Sequence, residues 1–81
     1  MRQGVSMEFR TFFSARLREI RKARHETQQQ VADGLGVPRQ HYQKFEAGEN
    51  LPSLERFIAL ADHFNVSLDY LAGRAEEHRG L

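Results

Sequence analysis

Thr27-Gln28-Gln29-Gln30-Val31-Ala32-Asp33-Gly34-Leu35-Gly36-Val37-Pro38-Arg39-Gln40-His41-Tyr42-Gln43-Lys44-Phe45-Glu46-Ala47-Gly48 reads as two short helical patterns separated by a stop signal. Thr27 and Gln30 stand three apart, the spacing of a capping box in which each side chain satisfies the other residue's backbone N–H. Val31, Ala32 and Leu35 then recur at helical spacing, so a helix begins at Thr27. Gly34 inside it costs about 1 kcal/mol relative to alanine. Gly36 ends it, because a left-handed turn residue costs glycine little. Pro38 suits the entry of the next helix, where a missing N–H is no loss. Tyr42 and Phe45, three apart, form the inward side of that helix, leaving Arg39, Gln40, His41, Gln43 and Lys44 pointing outward. Gly48 marks its end.

Outward from this pair, Phe9, Phe12, Phe13, Leu17 and Ile20 predict an amphipathic first helix from Glu8 to about Arg24, with Ser6, Thr11 and Ser14 as alternative caps. Its basic residues mostly fall off the apolar stripe. On the other side, Glu49 to Pro52 is a loop and Ser53 caps a fourth helix with Leu54, Phe57, Ile58, Ala61 and Phe64 along one side. Ser67 caps a short fifth helix, with Val66 and Leu71 placed as a hydrophobic staple. Residues 1–8 read as an N-terminal extension, 9–73 as one helical domain, and 74–81 as a flexible tail. The fold class is all-α with five helices.

Composition narrows the function. The 81 residues allow a single domain, and 40% apolar content supports a folded one. No apolar run approaches the roughly 20 residues that span a bilayer, so no membrane association is expected. The first residues lack a secretory apolar core, and there is no cysteine; a reducing cytoplasmic setting is the default. Histidines 25, 41, 63 and 78 lack paired metal spacing, and no Gly-rich phosphate loop follows a strand. An all-helical chain of this size offers little concave volume for a catalytic triad. The expectation is no enzyme activity, no metal and no cofactor. The net charge of +1 hides an asymmetry. Residues 9–25 hold six basic residues (Arg10, Arg16, Arg18, Arg21, Lys22, Arg24) against Glu19, a net +5. Residues 26–77 hold four basic residues against nine acids, a net −5. Such polarity favours a polyanion met by one face.

Two short helices that cross at a small residue (Ala32) and a tight glycine turn let one helix lie across a phosphate backbone while the next enters the major groove. Arg16-Leu17-Arg18-Glu19-Ile20-Arg21, Thr27-Gln28, Val31-Ala32, Leu35-Gly36-Val37, Phe45-Glu46-Ala47-Gly48, Pro52-Ser53-Leu54 and Val66-Ser67-Leu68-Asp69-Tyr70-Leu71 appear in an order and spacing that resembles the phage-repressor and Cro-type (XRE-type) helix-turn-helix family. The resemblance covers residues 16–71. It implies a lambda-repressor-like domain whose second and third helices form the DNA-reading unit.

Position by position, the resemblance implies that Gln28 bonds a DNA phosphate and braces the reading helix. Arg39, Gln40 and Lys44 take positions that read base edges; arginine and lysine suit guanine, and glutamine suits adenine. His41, Gln43 and Asn50 fall among backbone contacts. Arg21 and Glu46 match a structural ion pair between the first and third helices. The implied protein is a dimeric bacterial or phage regulator, a repressor by preference, that reads a palindrome on double-stranded DNA. Its dimer contact is expected from Tyr70, Leu71 and Leu81, with Phe9 and Phe12 either joining it or extending the core. Several residues depart from the pattern. Pro38 stands where a serine or threonine cap is common, Tyr42 replaces an aliphatic residue, and Glu49 lies beside Asn50 where relatives often carry a base. Between Thr27 and Asn50, Arg39 and Lys44 face Asp33, Glu46 and Glu49. That balance leaves open a second reading, an interaction module such as an antitoxin, with a toxin or antirepressor as protein partner.

Overall fold

The computed structural model describes residues 7–76, and within them the chain is all-helical. The helices are α1 (Met7–Ala23), α2 (Gln28–Leu35), α3 (Arg39–Glu46), α4 (Leu54–Phe64) and α5 (Leu68–Leu71). Thr11 and Ser14 lie inside α1 rather than capping it, and Ser14 Oγ donates to the Thr11 carbonyl at 3.1 Å. Ser6 and Leu81 lie outside the described residues.

Local signals account for the boundaries. Thr27 Oγ1 accepts from Gln30 N–H at 3.0 Å while Gln30 Oε1 accepts from Thr27 N–H at 2.8 Å, which closes the capping box. Gly36 takes φ +75° and carries the chain off α2, with Val37 N–H bonded to the Ala32 carbonyl at 3.0 Å. Pro38 occupies the cap of α3 with no side-chain hydrogen bond, so this entry rests on backbone alone. Ser53 and Ser67 accept from Arg56 and Tyr70 N–H groups at 3.2 and 3.0 Å and start α4 and α5. Asn65, at φ +55°, ends α4 in the left-handed region that asparagine tolerates better than most residues.

Phe13, Leu17 and Ile20 of α1 meet Val31, Ala32, Tyr42, Phe45, Leu60, Ala61, Phe64, Val66 and Leu71 in one buried cluster. Phe9 and Phe12 pack against it, and Phe9 stacks on Phe13 at 5.8 Å, so α1's extra aromatics extend the core. Three sequence expectations need correction. In α4 Leu60, Ala61 and Phe64 are buried and Phe57 is partly buried against them, whereas Leu54 is 73% and Ile58 41% exposed. Leu54 sits on the first turn, past the edge of the core, and Ile58 falls on the flank of the buried row. Leu71 is fully buried, so it belongs to the core and offers nothing to a second subunit. Arg16, counted above among the six basic residues of the segment expected to meet a polyanion, is 8% exposed. Its guanidinium lies between the rings of Phe12 and Tyr70, 4.8 and 3.9 Å from their centres. A cation over an aromatic face is attracted by the ring quadrupole, so this charge serves packing.

His63 links α4 back to α2 and to the connection that precedes it. Its ring lies edge-on to Phe64 at 5.1 Å, and Nε2 is 3.0 Å from Glu26 Oε2. A methyl group on Gly34 would come within 2.6 Å of that ring. The helix tolerates glycine at 34 because His63 takes the space.

Candidate nucleic-acid interface

With about 100° per residue, α3 divides cleanly. Tyr42, Phe45 and Glu46 are buried, while Arg39, Gln40, Gln43 and Lys44 are exposed and lie within an arc of about 140° that faces away from Tyr42 and Phe45. Arg39 Nη1 donates to Gln43 Oε1 at 3.4 Å, one turn along the same face. Gln40, Gln43, Lys44, Ala47 and Glu49 line a shallow depression of about 420 Å³. A second one, about 280 Å³, is lined by Pro38, Gln40, His41, Lys44 and Asn50. Gln40 and Lys44 therefore sit on the ridge between two concavities. His41 is half-buried, its ring edge-on to Phe45 at 5.2 Å, and so flanks the face.

What holds this face in place is a carboxylate on the other side of the helix. Glu46 Oε2 accepts from Arg21 Nε at 2.6 Å and from the Tyr42 hydroxyl at 2.5 Å. Its Oε1 accepts from Arg21 Nη2 at 3.0 Å and Gln28 Nε2 at 3.1 Å. The arginine contact is bidentate, the strong geometry for a guanidinium and a carboxylate. Arg21 also donates through Nη1 to the Glu26 carbonyl at 3.0 Å. One carboxylate thus ties together α1, the start of α2 and two turns of α3. Burial by itself would push the Glu46 carboxyl up, but the hydrogen bonds from Arg21, Tyr42 and Gln28 outweigh it and hold it below its ordinary 4.5. The same contact with Glu46 raises Arg21, and burial pushes the Tyr42 hydroxyl up, so all three groups keep one protonation state through the neutral range.

Neither Tyr42 nor Gln28 is tied to Glu46 by the motifs of the sequence. Tyr42 and Glu46 are one turn apart on a helix, so a signal for their contact existed in the i, i+4 spacing. Gln28 to Glu46 spans two elements and has no local signal. Gln28 is half-buried on Glu46, and Asn50 is exposed, with its N–H 3.3 Å from the Lys44 carbonyl. Among the described residues no set of histidine, aspartate and glutamate side chains is grouped to hold a metal ion, and no helix is long and apolar enough to cross a membrane.

Two short helices joined at a left-handed glycine, braced on one side and polar on the other, define a helix-turn-helix protein. The chain belongs to that family: the helix-turn-helix model matches residues 17–71. It is 44% identical over 59 residues to the cryptic phage CTXphi transcriptional repressor RstR of Vibrio cholerae, covering 73% of this chain and 53% of that one. It is 40% identical over 62 residues to the HTH-type transcriptional regulator AnsR of Bacillus subtilis, covering 76% and 53%. The chain spans about half the length of the curated relatives it matches. Among solved structures, the restriction-modification controller protein C.AhdI from Aeromonas hydrophila superposes with a TM-score of 0.73 at 29% identity, over 76% of this chain and 94% of that one. Among the described residues the architecture is the five-helix, strand-free one implied by the sequence.

Proposed function

We propose that this chain is a sequence-specific DNA-binding transcriptional regulator that reads the major groove with α3. The observation that carries the reading is the outward face of that helix: Arg39, Gln40, Gln43 and Lys44 are exposed together while the inner side is clamped through Glu46. Arg39 and Lys44 are suited to guanine O6 and N7, and Gln40 to adenine N6 and N7. Gln28, His41, Gln43 and Asn50 flank these as contacts to the sugar-phosphate backbone, which set register without carrying sequence. The relatives are named as transcriptional repressors and regulators, which favours DNA over a toxin-binding role for the same fold.

A single module buries only about 600–1,000 Å² of protein surface on DNA, too little for tight specific binding. The active form in this reading is a homodimer, with two α3 helices about 34 Å apart on a palindromic operator. It represses by occupying that operator in the cytoplasm. The test is selection from random duplexes by the purified protein, repeated over a salt series. An enriched palindrome with a steep salt slope is expected. No enrichment at any salt concentration overturns the reading.

A further inference from the structure

One side of α1 carries Arg10, Ser14, Arg18 and Arg21, spaced four, four and three apart, and each meets the end of α3 or the loop after it. Arg21 binds the Glu46 carboxylate, and Arg18 Nη1 donates to the Glu46 carbonyl at 3.2 Å. Ser14 lies against Gly48, whose Cβ, if it had one, would sit 3.6 Å from the serine oxygen. Arg10 Nη1 donates to the Glu49 carbonyl at 3.4 Å. The three arginines fall into two kinds by what becomes of their charge. Arg21 is neutralised by a buried carboxylate. Arg18 and Arg10 each meet a carbonyl, and no ion pair is found for either among the described residues; Arg10 is the one that reaches the loop beyond α3.

Glu49 shares the 420 Å³ depression with Gln40, Gln43 and Lys44, so the loop lies on the surface that α3 presents to DNA. Its own side chain is negative and exposed, which repels phosphate. A guanidinium standing at that residue's carbonyl offsets this negative charge. The Arg10 bond is long for an N–H···O contact and uses one of five donors, leaving the rest of the fork for a bidentate acceptor.

We infer that Arg10 is a DNA phosphate-binding residue, delivered from α1 to the loop after α3, where the chain's own side chain has the wrong charge. This rests on the DNA-binding reading above and adds a contact to it. The alternative role for Arg10 is a cap on the negative end of α3, and the two roles separate by experiment. A cap contributes to folding, whereas a phosphate contact also releases counterions, so only the second alters the salt dependence of binding.

Binding of the wild-type protein and of Arg10→Gln to the selected duplex is measured between roughly 50 and 200 mM salt, with melting temperatures recorded for both. Arg10→Gln is expected to make the log K against log salt slope shallower by about 0.9 per protomer, with base preference unchanged. Adding Glu49→Lys to Arg10→Gln puts a cation back on the loop and restores the slope. Arg74→Gln, which removes an exposed charge paired with Asp69 at 3.7 Å, leaves it unchanged. If wild type binds the duplex and Arg10→Gln keeps its slope, Arg10 is a cap alone and the inference falls while the DNA reading stands. If wild type selects no duplex, the DNA reading falls and this inference with it.

Discussion

The two sides of α3 are eight residues of one helix, yet they obey opposite rules. On the inner side every carboxylate oxygen of Glu46 has two donors, and no buried side-chain polar atom among the described residues lacks a partner. On the outer side Arg39 and Gln43 share one long bond. A buried polar group left unsatisfied costs stability, so the inner side admits one arrangement. An exposed polar group is already satisfied by water and exchanges it for a ligand at little cost. The inner side fixes the orientation of α3, and the outer side is thereby free to be chosen for what, in the proposed function, it reads. Changes to one side should register in folding and changes to the other in recognition.

The strongest way to break that division is Glu46→Ala. It strands Arg21 without its counter-charge and removes the acceptor of Tyr42 and Gln28, at an expected cost of about 3–5 kcal/mol. Glu49→Ala, three residues on and exposed, should stay within about 0.5 kcal/mol of wild type. Equal melting temperatures for the two variants would contradict the division. Tyr42→Phe keeps the ring and the core volume but deletes a hydrogen bond to a charged acceptor. The expected loss is about 1.5–3 kcal/mol in denaturant unfolding, with base preference unchanged.

Acid reaches the same carboxylate without mutation. The folded-state value for Glu46 lies below its ordinary 4.5, so its ionised form contributes in full above that pH. The contribution is lost as pH falls through the folded-state value. Melting temperature should therefore drop on acidification below about pH 4.5, and Glu46→Gln should show a shallower drop. An identical acid limb in both proteins would place the transition on other groups.

On the outer side, Arg39→Ala should leave the melting temperature near wild type. It should relax preference at one position per half-site, with a loss of about 1–3 kcal/mol for the preferred base. Unchanged base preference would move the reading role to other residues of the face. Gln28→Ala touches both sides, since its amide bonds Glu46 and the residue opens α2. The smallest effect on specificity is expected here: weaker binding to all duplexes alike, together with a modest loss of stability of about 1 kcal/mol.

The helix pair was legible because its signals are local. Thr27 and Gln30, Gly36, Ser53 and Ser67 each act within four residues, and the apolar spacing of α1 to α3 assigns inward positions by arithmetic. Leu54 and Ile58 show where arithmetic stops. Both satisfy the helical period, but an apolar residue is buried only if another element covers it, and none covers these fully. Asn65 ending α4 and His63 filling the space over Gly34 were equally beyond reach, since each depends on what the rest of the chain leaves open.

Chain order alone thus settled the five helices, the caps that open α2, α4 and α5, the glycine turn and the polar composition of the outer face, since each depends on neighbours within about one turn. The arginines of α1 needed the assembled fold. Arg16 lies between two rings, one of them on Tyr70; Arg21 binds a buried carboxylate on α3; Arg10 reaches the loop beyond it. A guanidinium on a long stem takes its role from whatever stands opposite, and residues distant along the chain come to stand there only when the helices pack.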